Sequence, residues 1–183
     1  MSRVITFSRT YPSYHPKAGQ LTHFIEKIWN SIGMPSFASG KPWGSGWHDT
    51  PLTDEYLRYI RGSDEFDDVC KHHTIRAGHR WKEGDWFSPR VWSGKPYNSK
   101  QITFAPDIQI KKVWDFKIVL VQDGILRSYE MQIDGKLNRN GMDVFTNDGL
   151  TYNDFCDWFQ MDKAKKTIHF DGQIICWNES INY

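Results

Sequence analysis

The sequence predicts an α+β protein: a small, mostly antiparallel β-barrel flanked by helices, with an N-terminal helical insert. Three observations lead there. Leu21, Phe24, Ile25, Ile28, Trp29 and Ile32 recur at helical spacing early in the chain. From Trp81 onward the apolar residues fall instead in short runs separated by turn residues, as strands do. One capped helix interrupts these runs near Leu150, before a last pair of strands. A chain of 183 residues sets one domain, 1–183, as the default, and 20–69 reads as a helical insert within it.

Val4-Ile5-Thr6-Phe7 opens the chain as a short strand. Ser8 to Gln20 is a loop broken by Pro12, Pro16 and Gly19. The helix that follows stops at Gly33. Met34 to Thr50 is rich in Gly, Pro and Ser yet carries Trp43 and Trp47, which predicts an ordered loop packed on the body. Thr53 caps a second helix start at Leu52–Leu57, with Asp54 and Glu55 suited to its positive end and Gly62 as its stop. Ser63 to Cys70 reads as a further short helical piece.

The strand region begins with a turn at Gly84-Asp85 leading into a strand through Trp92. Gln101 to Ile110 is extended, with Pro106 as an interruption. Val113 to Gln122 is the longest strand, and Asp123-Gly124 turns it back into Tyr129–Ile133. Asp134 to Gly141 is polar and loop-like. Leu150 to Phe155 starts the late helix, with Thr151 as cap and Asp154 three residues on. Thr167–Phe170, Asp171-Gly172 and Gln173–Trp177 carry a hairpin signal.

A net charge of +1 excludes global steering toward nucleic acid, so local asymmetry matters more. Residues 49–68 hold acids at 49, 54, 55, 64, 65, 67 and 68 against Arg58 and Arg61. The next window, Lys71 to Lys100, reverses the sign. Its cations are at 71, 76, 80, 82, 90, 95 and 100, against Glu83 and Asp85. Trp81, Trp86, Phe87, Trp92 and Tyr97 lie among them. Positive charge mixed with flat rings suits a negatively charged, stackable partner, a nucleotide or RNA. The same window also fits a basic strand edge with core tryptophans. Cys70, Cys156 and Cys176 are odd in number and widely spaced, which argues against a disulfide framework and for a reduced, cytoplasmic protein. No apolar run reaches membrane-spanning length, so no membrane partner is expected. His72, His73 and His79 lack zinc-type spacing, and neither metal nor cofactor is expected.

Lys71-His72-His73-Thr74-Ile75-Arg76, followed by Gly84-Asp85, resembles the Lys-x-x-Thr-x-Arg motif of ASCH domains in the PUA-like superfamily. More narrowly it is similar to the small bacterial N4-acetylcytidine amidohydrolases. The opening Ile5-Thr6-Phe7, the strand at Val113–Ile118, Asn147-Asp148-Gly149 before a helix, and the closing Ile168–Trp177 segment agree with that resemblance, which covers roughly 1–10 and 70–180. It implies a PUA-like barrel and hydrolysis of an amide on a modified nucleoside. Lys71 then matches the family's proton acceptor, Thr74 its nucleophile and Asp148 its proton donor. Asp148 stands where the family has a glutamate and is one methylene shorter.

The residues themselves allow that chemistry. A threonine hydroxyl needs a base, and a lysine serves when burial or neighbouring cations lower its pKa. Strict strand alternation puts Lys71 and His73 on one face and Thr74 and Arg76 on the other, so the mechanism needs a break between Lys71 and Thr74. Arg76, His73, Arg80, Trp81, Arg90 and Trp92 are the candidate ligand-binding residues, the arginines for oxygen anions and the tryptophans for stacking. Two alternatives use the same groove without amide hydrolysis: a non-catalytic RNA- or nucleotide-binding module, and a single-strand ribonuclease.

Overall fold

A computed structural model describes residues 2–34, 69–123, 126–138, 141–163 and 166–183, and these fold as α+β with mostly antiparallel sheets. The expected loop at 34–50, the helix start at 52–57 and the helical piece at 63–70 lie wholly or mostly outside the described residues, and so does Gly124 of the expected turn. The described strands form two sheets and no closed barrel. In the first, β1 (Arg3–Thr6) runs parallel to β3 (Trp86–Trp92), which also pairs antiparallel with β4 (Gln101–Thr103) and β5 (Ile108–Gln109). The second is antiparallel throughout. Its order is β2 (His73–Ala77), β9 (Ile168–Cys176), β6 (Lys112–Asp123), β7 (Leu126–Ile133) and β8 (Lys136–Leu137).

Alternation explains most of these strands. Ile5 and Phe7 turn inward from the first sheet and meet Phe87 and Val91. Phe116 and Ile118 of β6 turn into a second cluster. The last residues of β9 are apolar without alternation because they are buried on both faces: Ile174 belongs to one cluster and Ile175 to the other. That strand is the wall between the two cores. The expected hairpin at Asp171-Gly172 is corrected accordingly. Residues 168–176 form one continuous strand, paired with β2 on one side and β6 on the other. Turning back at Gly172 would strip both partners of their hydrogen bonds.

Helix α1 (Phe24–Ser31) ends before Gly33, whose φ of +70° suits glycine. It is not an appendage. Ile25, Ile28 and Trp29 enter the first core while Phe24 enters the second. Helix α2 (Gly141–Asn147) was not legible in the sequence, since seven residues carry too little apolar period. Where a loop was expected at 134–141, Asp134-Gly135 instead turns into the short β8. Helix α3 (Tyr152–Trp158) starts as its sequence predicts: Thr151 Oγ1 accepts from the Asp154 backbone N–H at 3.2 Å and donates to Asp154 Oδ2 at 2.8 Å. Replacing Thr151 with Ala is expected to cost about 1 kcal/mol, measurable as a lower urea midpoint. Among the described residues no helix is long and apolar enough to cross a membrane.

Candidate functional site

Lys71 lies just before β2, and its backbone does not join the sheet. Its N–H donates to Lys27 O of α1 at 3.0 Å, and the His72 N–H donates to Asn147 O of α2 at 2.8 Å. This anchoring supplies the break that strand alternation required. The Lys71 side chain is released from the period of β2 and turns to the side where Thr74 and Arg76 project. All three line one cleft of about 280 Å³.

Asp148 arrives from the end of α2. The Gly149 N–H donates to Thr146 O at 2.9 Å and the Leu150 N–H to Phe145 O at 2.9 Å, with Gly149 at φ +73°. This is a Schellman stop, and it needs a residue such as glycine at that φ. Space demands glycine as well: a Cβ there would sit 3.2 Å from both Lys71 Cβ and Lys27 Cδ. The stop aims Asp148 into the cleft. Lys71 Nζ donates to Asp148 Oδ1 at 2.6 Å and to Asp148 O at 2.5 Å, and both residues are buried. The aspartate side chain therefore reaches the lysine directly. The ammonium also lies 4.2 Å from the centre of the Phe24 ring.

Burial sets the electrostatics of the pair. It lowers the Lys71 pKa to about 8, against the opposing pull of Asp148. It raises the Asp148 carboxyl above the ordinary range, against Lys71 and Arg76. Both shifts favour the neutral forms. Arg76 is half-buried, its pKa is lowered by burial, and it adds a further cationic group. Its Nη2 donates to Thr6 O at 2.8 Å, while its Nε is buried with no partner among the described residues. With the Lys71–Asp148 pair drawn toward its neutral forms, Arg76 leaves positive charge beside it, which suits an oxygen-bearing ligand with negative or partial negative charge.

The Thr74 hydroxyl lines the same cleft, but among the described residues it makes no hydrogen bond to Lys71, whose bonds go to Asp148. Trp92 lines the cleft from the end of β3. The remaining candidates lie elsewhere. His73 is fully buried behind Asp148, with its Nδ1 2.8 Å from the Tyr183 hydroxyl and its Nε2 3.8 Å from Asp148 Oδ1, and burial keeps it neutral. Strand alternation accounts for its turning away from Thr74. Trp81 is core, not a stacking surface. It packs on Phe87, and the side chain of Gln173 brackets its backbone. Arg80 lies over Trp81, and Arg90 hydrogen-bonds Ser88, and neither lines the cleft. Tyr97 and Phe24 do line it, and the candidate set lacked both. Tyr97 was visible as an aromatic inside the basic window; Phe24 was hidden within an ordinary amphipathic face.

Among the described residues no group of three or more His, Cys, Asp or Glu is arranged to hold a metal ion. No family model, curated protein or solved structure matches the chain.

Proposed function

We propose that the chain is a nucleoside- or RNA-directed protein of the ASCH type, with its two sheets as the opened halves of a PUA-like barrel, and that its cleft hydrolyses an amide on a modified nucleoside such as N4-acetylcytidine. One observation carries the reading: a buried Lys71–Asp148 pair, 2.6 Å apart, shares a cleft with Thr74. Thr74 Oγ attacks the amide carbonyl and gives its proton to neutral Lys71. Protonated Asp148 donates to the leaving nitrogen as the C–N bond breaks. The Lys71–Asp148 hydrogen bond then returns the proton from base to acid, and water releases the acyl group from Thr74. Arg76, with an unpartnered Nε, is the donor for the carbonyl oxygen.

This scheme fixes a pH dependence. The working form of the pair holds one proton. At low pH it holds two and lacks a base. Above about 8, where Lys71 titrates, it holds none and lacks an acid. A bell-shaped kcat/KM with its upper limb near 8 is expected, and a rate that keeps climbing above that pH would remove Asp148 from the acid role.

A second reading is favoured by the bonding of Lys71 to Asp148 in place of Thr74: the cleft binds a nucleotide or RNA end without turnover. The deciding experiment incubates the protein, and Thr74→Ala beside it, with N4-acetylcytidine and a panel of acylated nucleosides, and follows product by chromatography. Deacylation by the wild type that vanishes in the variant supports the hydrolase. No turnover of any panel member, with nucleotide binding that weakens as salt rises, leaves the binding module.

A further inference from the structure

We propose that Tyr97 selects the ligand of the cleft: with Trp92 it offers stacking faces to one flat, unpaired ring, so the ligand is a nucleoside or nucleotide whose base is unpaired. This rests on the nucleoside-directed reading above and adds to it the residue and the shape that impose the choice.

Tyr97 combines an exposure and a backbone conformation that burial of its own ring does not explain. It lines the cleft yet is 87% exposed, so its ring gains little burial from this protein. Its φ is +64°, a region that bulky side chains adopt only at a cost. The turn that carries it is closely bonded. Ser93 N–H donates to Lys100 O at 2.9 Å, Gly94 N–H to Ser99 Oγ at 3.0 Å, Asn98 N–H to Lys95 O at 3.1 Å, and Ser99 Oγ to Lys95 O at 2.9 Å. The outward pose is therefore built in. The turn holds an aromatic ring in water, in a strained backbone, at the mouth of a cleft.

The partner ring is Trp92. The two centroids are 5.4 Å apart and the planes are inclined at 50°, a wedge and not a closed stack. A flat ring entering beside them meets aromatic faces at the mouth while its substituent points toward Lys71 and Thr74. The cleft volume of about 280 Å³ lies at the small end of ligand sites, enough for one nucleoside unit. Stacking is indifferent to base identity, so Tyr97 and Trp92 require a ring without choosing which.

The test is calorimetric titration of the whole chain with cytidine 5′-monophosphate and with ribose 5-phosphate, which keeps sugar and phosphate but has no ring. The nucleotide is expected to bind, and ribose 5-phosphate about tenfold or more weakly. Tyr97→Ala should weaken the nucleotide about tenfold, and Tyr97→Phe should bind as the wild type. Tyr97→Asn should lose the same affinity yet melt at or above the wild-type temperature, because asparagine accepts that φ. If the nucleotide binds more tightly than ribose 5-phosphate but without regard to Tyr97, this proposal falls and the nucleoside-directed reading stands. If ribose 5-phosphate binds as tightly as the nucleotide, the ring is not recognised and both fall. If neither compound binds the wild type, the ligand class is wrong and the proposal falls with it. None of these measurements needs turnover, so loss of the hydrolase reading alone leaves them intact.

Discussion

Lys71→Met is expected to abolish turnover and to lower stability by about 3–5 kcal/mol, a range typical of a buried pair losing one partner. The side chain is 1% exposed and both of its hydrogen bonds end on Asp148. Methionine nearly fills the volume, so packing changes little. What changes is that Asp148 loses its counter-charge in a place where water cannot replace it. The carboxyl answers by holding its proton, which is the direction in which burial already pushes it. The double variant Lys71→Met/Asp148→Leu removes both charges and should regain most of the lost stability while staying inactive. Chemical denaturation of the two variants and the wild type measures this. A double variant no more stable than Lys71→Met would show that the charge pair is not the source of the loss, and a Lys71→Met that still turns over substrate would remove Lys71 from the chemistry.

Much of the candidate site was legible because its members carry local signals. Thr74 and Arg76 sit two apart on a strand, so they had to share a face, and they do line one cleft. Asp148 was placed before a helix and is found there, but what aims it is the end of α2, a helix too short to show a period. The position of Lys71 relative to Thr74 was the open question. It is settled by backbone bonds to α1 and α2, contacts that no local pattern encodes. The misplaced candidates share a cause. Trp81, Arg80 and Arg90 were grouped by charge and composition, and composition cannot say which side of a sheet a residue faces. The Arg3 guanidinium stacks on Trp81 at 4.2 Å and pairs with Asp85, so part of the basic and aromatic character of that window is used within the fold. Closure was less legible: the positions of the strands were readable, but closure depends on which strands pair across sheets, and the described strands form two sheets.

Gly172→Ala is expected to be the most damaging small substitution in the sheet. The Asp171-Gly172 pair looks like a turn in the sequence, yet Gly172 sits in mid-strand opposite Ala77 of β2 and Phe116 of β6. A methyl group there would fall well inside contact distance of the Arg76 carbonyl oxygen and 2.9 Å from Ala77 Cα. Both obstacles are backbone, so no rotamer change relieves them. The strands must part, and the cost is expected at about 3 kcal/mol or more, at or beyond the upper end for overpacking. Gly84→Ala is the control. Gly84 has a φ of +83° and open space around it, so an added methyl there tests backbone strain alone, at about 1 kcal/mol. Thermal melts should separate the two by several degrees, with Gly172→Ala lower. The effect also reaches the cleft. Arg76 and Thr74 are held by the same β2–β9 ladder, in register with Gln173 and Ile175. Any retreat of β2 carries the guanidinium and the hydroxyl away from Lys71, which is anchored separately on α1 and α2. A displacement of about 1 Å between such groups is enough to cost about a hundredfold in rate. Gly172→Ala should therefore lose turnover even at temperatures where it remains folded. Full activity in a folded Gly172→Ala would mean that the β2–β9 contact does not set the spacing of the site.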